Sequence, residues 1–202
     1  MAAEPKIDDW TIYQGRTFKR VIRWETEPVV YKPITAIAKT APVAITATGH
    51  GLKSGWYAAI TDVVGMAQIN APANSPKDGD YHQVTFVDAD TITLNGISAA
   101  SYGAYTSGGY IRYNTPASLA GAVVRATVRN RVGGAALQVL SSATGEIAID
   151  DTEHTITVTL TAAVTERITY TRGVYDLEVD ISGDVTLLTS GTVVVVPEIT
   201  TV

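Results

Sequence analysis

The chain has 202 residues, of which 46% are hydrophobic and 17% charged, with a net charge of −5 and no cysteine. A chain this long and apolar can bury a full core, so intrinsic disorder is excluded, as are disulfides, thiolate nucleophiles and cysteine-ligated metals. Threonine (28) and valine (23) make up about a quarter of the residues. Both are β-branched and suit a pleated sheet, so the expectation is an all-β protein.

The opening MAAEPKIDDW mixes charges with small residues and is not followed by an apolar run of signal-peptide length. The next element is a strand over Arg16–Trp24, where Arg16, Lys19, Arg20 and Arg23 form a solvated basic face. From Ile34 to Asn114 the texture changes to Ala, Gly, Ser and Asn with shorter strands, bounded by prolines at Tyr31-Lys32-Pro33 and Asn114-Thr115-Pro116. That pattern reads as an insertion, residues 35–115, into a domain built from 1–34 and 116–202. Beyond it, period-two alternation recurs in Val124–Arg129, Thr155–Thr161 and Tyr175–Asp180. Turn signals separate these strands at Val132-Gly133-Gly134, Ala143-Thr144-Gly145 and Ser182-Gly183-Asp184. A last strand, Thr192–Val196, stops at Pro197, which has no amide hydrogen. The expected architecture is a discontinuous β-sandwich with an inserted small β-barrel.

Charge is spread without a basic cluster: six basic and five acidic residues in 1–34, four and five in 35–115, five and ten in 116–202. Nucleic acid is therefore not an expected partner. The longest aliphatic run, Val193–Val196, falls far short of the ~20 residues of a membrane span. A soluble chain with no membrane partner is expected.

Two segments resemble known families. The insert carries Pro42-Val43-Ala44-Ile45-Thr46-Ala47-Thr48-Gly49-His50-Gly51-Leu52, then Gly65-Met66 with Ile69-Asn70. Val84 to Leu94 and Tyr102-Gly103-Ala104-Tyr105-Thr106-Ser107-Gly108-Gly109 follow. This order of motifs is similar to the small β-barrel first described as the first catalytic cysteine half-domain of ubiquitin-activating enzymes, which recurs in tailed-phage structural proteins. The resemblance implies a module that is not catalytic. The outer part, through Gly15-Arg16-Thr17-Phe18, Gly173–Val179 and Val185–Val193, resembles a β-sandwich of phage tail-fibre, collar and neck-associated proteins. It implies a virion protein made in the host bacterial cytoplasm.

Candidate chemistry is sparse. His50 lies between two glycines with no ligand at metal spacing, and a structural role in the turn is expected. His82 and His154 have no nucleophile-elbow context. Asp88 and Asp90, like Asp176, Glu178 and Asp180, are expected to share a solvated strand face, with no calcium-loop pattern. There is no phosphate-binding glycine loop. No catalytic, cofactor or metal site is expected.

The candidate working surface is the Tyr-Ser-Gly stretch Ser101–Tyr113, whose Tyr102, Tyr105, Tyr110 and Tyr113 have the composition of a binding loop. The apolar tail Val193–Val202, including Val193 and Val195, is the second candidate for contact between subunits. The expected function is a non-enzymatic virion component in the neck or collar, a homo-oligomer in contact with neck, tail, fibre or capsid subunits. The alternatives are a capsid decoration protein, a baseplate or tail-fibre component, and a receptor-glycan-binding protein.

Overall fold

The structure, a computed structural model, describes residues 6–72 and 76–199. The first five residues of the opening decapeptide and the last three of the apolar tail lie outside the described residues. The protein is all-β and divides into two compact units. One holds the chain up to Glu25 and from Pro116 onward, the other holds Thr26–Thr115.

The first unit is a sandwich. Its larger sheet contains β1 (Lys6–Ile7), β2 (Trp10–Tyr13), β11 (Ala122–Arg129), β12 (Ala136–Ser141), β15 (Arg172–Ile181) and β16 (Asp184–Val196). Their order is β1-β16-β15-β11-β12, with β2 also on β16. The smaller sheet is β13 (Ile147–Asp150), β14 (Thr155–Leu160) and β3 (Phe18–Arg23), in that order. Alternation decides the faces: Val124, Ala126 and Val128 of β11 and Tyr175, Leu177 and Val179 of β15 are buried, and Ile156, Val158 and Leu160 of β14 face them across one core.

The β15–β16 hairpin turns at Ser182 (φ 56°) and Gly183 (φ 91°), the paired positive dihedrals that match the twist of two strands. Asp180 Oδ1 accepts from the Gly183 N–H at 2.9 Å and holds that turn. The N-terminal stretch is clamped to β16 by parallel pairing, Lys6 with Thr189 and Trp10 with Val193. Trp10 stacks on Tyr175 at 3.7 Å, and the Tyr175 hydroxyl donates to Asp8 O at 2.6 Å. Gly191 allows this approach, because a Cβ there would stand 2.5 Å from Asp8 O. A short helix, α1 (Ala162–Glu166), capped by Thr161, links β14 to β15. Five residues are too few to leave a helical period in the sequence.

The second unit is built from β4 (Glu25–Pro33), β5 (Ala36–Ala38), β6 (Val43–Thr46), β7 (Tyr57–Val64), β8 (His82–Phe86), β9 (Thr91–Leu94) and β10 (Ser107–Pro116). Their order is β4-β10-β7-β8-β9-β6-β5. The two end strands are one run of chain. Ile34 N–H donates to Gly109 O and Thr35 N–H to Thr46 O, both at 2.9 Å, so this run closes the sheet into a small barrel. Val43, Ile45, Ile60, Val84, Ile92 and Ile111 fill the interior.

Two sequence expectations change here. The insert begins at 26 rather than 35, because β4 pairs with β10 and its residues belong to the barrel sheet. Asp88 and Asp90 do not lie on a strand face. They occupy the turn between β8 and β9, where an Asx-type bond from Asp90 N–H to Asp88 Oδ1 (2.9 Å) supports the reversal.

Candidate interaction surface

The motif residues of the insert meet in the barrel, the apolar ones in its core and the polar ones His50, Asn70, Asp88, Asp90, Tyr105 and Tyr113 in bonds to the backbone. His50 is 0% exposed. Its Nδ1 accepts from Leu52 N–H and its Nε2 lies 3.0 Å from the carbonyl of Asp88, so Nε2 carries the proton and the ring bridges two turns. Gly49 N–H donates to Asp90 Oδ1 at 2.8 Å, and the Tyr113 hydroxyl donates to His50 O at 2.5 Å. The Asp88 carboxyl is held below the usual carboxylate range, chiefly by the N–H of Asp90.

Asn70 completes β7 with its side chain, its amide oxygen accepting from Val63 N–H and its amide nitrogen donating to Val63 O, both at 2.9 Å. Gly65 (φ 89°) sits so close to Ala104 that a Cβ would lie 2.2 Å from its carbonyl. Among the described residues, no three His, Asp or Glu side chains are grouped so as to hold a metal ion. No helix of the described residues is long and apolar enough to cross a membrane.

The four tyrosines part company. Tyr113 is buried under the His50 turn, and burial pushes its hydroxyl pKa up. The Tyr105 hydroxyl lies 3.0 and 3.1 Å from Ile34 O and Gly108 O and shares its single proton between the two carbonyls, which locks the point of barrel closure. Tyr102 packs against the barrel core. Tyr110 alone among them is an exposed large hydrophobic, at 41%. Its ring meets Tyr31 (51% exposed) edge-on at 6.1 Å, and the Arg112 guanidinium lies over the Tyr31 ring at 5.7 Å. Arg112 Nε is buried and without a hydrogen-bond partner among the described residues. Tyr31 and Arg112 were not singled out in the sequence. The signal for Arg112 was alternation through Gly109–Tyr113, which sets Tyr110 and Arg112 outward and Ile111 and Tyr113 inward, whereas Glu25–Pro33 carries no such pattern to mark Tyr31.

Val193 and Val195 are corrected as contact residues. They are 0% and 4% exposed and belong to the sandwich core. Their strand is also paired on both sides, with β15 on one and β1 and β2 on the other. The apolar run gave no alternation to tell the buried face from the open one.

The sandwich has its own exposed features. β12 ends the larger sheet, with Leu137 and Val139 exposed and Val132 exposed in the turn before it. A shallow groove of about 270 Å³ beside it is lined by Leu137, Val164, Ile168 and Tyr170. The Tyr170 hydroxyl donates to Gln138 Oε1 at 3.0 Å, and burial pushes its pKa up to about 12. No protein-family model matches the chain, and no curated protein matches it significantly in sequence.

Proposed function

We propose that this protein is a non-enzymatic structural component of a tailed-phage virion. It is a neck or collar protein that assembles in multiple copies, in a ring, and anchors fibres or bridges head and tail. The observation that carries this reading is the use made of the insert's motif residues. His50, Asp88, Asp90, Asn70 and Tyr105 satisfy turns and strand ends. That is the work expected of a small structural barrel of the kind the motif order resembles, and it leaves contact to surfaces. The Tyr31, Tyr110 and Arg112 cluster is the barrel's candidate surface for a neighbouring virion subunit, since rigid aromatic rings with an arginine give contact area at low entropic cost.

Quantitative mass spectrometry of purified particles tests the proposal. The chain is expected at a fixed ratio to the portal subunit. Its absence from particles would contradict the proposal, and strong binding of the isolated chain to host surface glycan would redirect it towards receptor recognition.

A further inference from the structure

The larger sandwich sheet stops at β12 with backbone groups unpaired. Ser142 N–H donates to Val124 O at 2.9 Å, which sets the alternation of the antiparallel β11–β12 ladder. Leu140 and Gln138 then bond to β11, while Val139 turns its N–H and C=O away from it. Among the described residues neither group of Val139 has a hydrogen-bond partner. At Ser141, the next position facing outward, the edge is filled. Gly145 N–H donates to its carbonyl at 3.2 Å, and Glu146 Oε2 accepts its N–H at 3.5 Å. The register shift beyond Gln138 makes Leu137 an extra residue at the other end. The open stretch is therefore short and centred on Val139, which is 64% exposed.

Edge strands of soluble proteins are usually blunted with charge or proline. β3, at the end of the smaller sheet, follows that rule with Lys19, Arg20 and Arg23. β12, with the sequence ALQVLS, has neither charge nor proline. Its charges lie at the two ends: Arg129 and Arg131 precede it and Glu146 follows it.

We infer that β12 is the contact through which two copies of this chain pair, antiparallel about a two-fold axis, so that the larger sheet runs on from one copy into the other. Antiparallel pairing reverses the ends. It brings the Arg131 end of one strand towards the Glu146 end of the other, and sets Leu137 of each copy beside Val139 of the second. Parallel pairing would stack arginine on arginine, and docking on the basic β3 edge of another copy would do the same. An isologous contact of this kind uses both β12 edges and closes at two copies, so a ring of such pairs is completed through other surfaces. The inference rests on the self-association in the proposed function, and not on the presence of the chain in a particle.

Light scattering during size-exclusion chromatography of the purified chain tests it. The wild type is expected at twice the monomer mass of 21.4 kDa. Val139→Lys puts a cation on the pairing surface and is expected to weaken the dimer by about tenfold or more. Since Val139 is exposed, its circular dichroism should match the wild type. If the lysine variant fails to fold, amide exchange in the wild type decides: the Val139 amide should be protected at high concentration and lose protection on dilution. A monomer at every concentration, an assembly of any size indifferent to Val139→Lys, or a Val139 amide that exchanges fast in the assembled protein would each overturn the inference. None of these results bears on particle mass spectrometry, so the two proposals fail separately.

Discussion

The barrel and the sandwich handle the same problem, the unpaired edges of a β-sheet, in opposite ways. The barrel closes on itself where Ile34 and Thr35 bond to β10 and β6, a closure Tyr105 secures, and its other polar motif residues are consumed in holding turns and a strand end. The sandwich leaves β12 at one end of its larger sheet, β1 and β2 at the other, and β13 and β3 at the ends of the smaller, and protects them unequally: β3 is charged along its length and β12 is not. The lesson is that the sandwich offers an open strand edge to another chain at β12, whereas the candidate surface of the barrel is a set of side chains, Tyr31, Tyr110 and Arg112.

The largest expected effect comes from the cores, which are separate clusters. Ile92→Ala in the barrel and Leu177→Ala in the sandwich each remove a fully buried aliphatic side chain, at a cost of about 2–5 kcal/mol. Hydrogen exchange followed by mass spectrometry should show protection lost in 26–115 for the first variant and in the flanking segments for the second. Uniform loss in either variant would erase the division between the units.

Next is the hydrogen bond that holds the His50 turn of the barrel. Tyr113→Phe leaves the buried carbonyl of His50 without its donor, and about 1–3 kcal/mol of barrel stability should go with it. Thermal melting of that variant beside the wild type reads the effect, and an unchanged melt would mean that the His50 turn does not secure the barrel.

A smaller effect is the response to acid. Asp88 in the barrel has its pKa lowered chiefly by the N–H of Asp90, and Asp9 in the sandwich chiefly by the N–H of Thr192. A carboxylate whose native pKa lies below its unfolded value, ~3.9, contributes stability above that value and loses it as pH falls through the native pKa. Both units should therefore weaken below about pH 4. Asp88→Asn should flatten the acid response of barrel amides alone, measured by exchange across a pH series. A sandwich response that flattens too would break the comparison.

The smallest change in stability, within about 0.5 kcal/mol, is expected for Lys19→Val on the exposed β3. Its consequence should be association, seen as a concentration-dependent rise in scattering mass, because a cation protecting that edge is gone. A variant as monodisperse as the wild type would show that something other than Lys19 guards β3.

Much of this fold is legible in the sequence wherever one face of a strand is wet. β11, β14 and β15 announce themselves by alternation, and the β15–β16 turn by Ser182-Gly183. Period two, however, says which residues share a face and not which face is buried. Tyr110 and Tyr113 are three apart, so one tyrosine points out and the other in, and composition alone could not separate them. Val193–Val196 is uniformly apolar and conceals that Val193 and Val195 are core. The Asp88-Ala89-Asp90 stretch mimics a strand face, and only its side-chain bonds to Asp90 N–H and Gly49 N–H reveal a turn. The open edge of β12 left no motif at all, since an edge is defined by what fails to pair with it.

Immunogold electron microscopy of intact particles, with antibody raised against the purified chain, tests the proposed virion role most directly. Label clustered at the head–tail junction, the same on particle after particle, is the expected result. Particles that carry no label anywhere, from a preparation in which the antibody recognises the free chain, would contradict it.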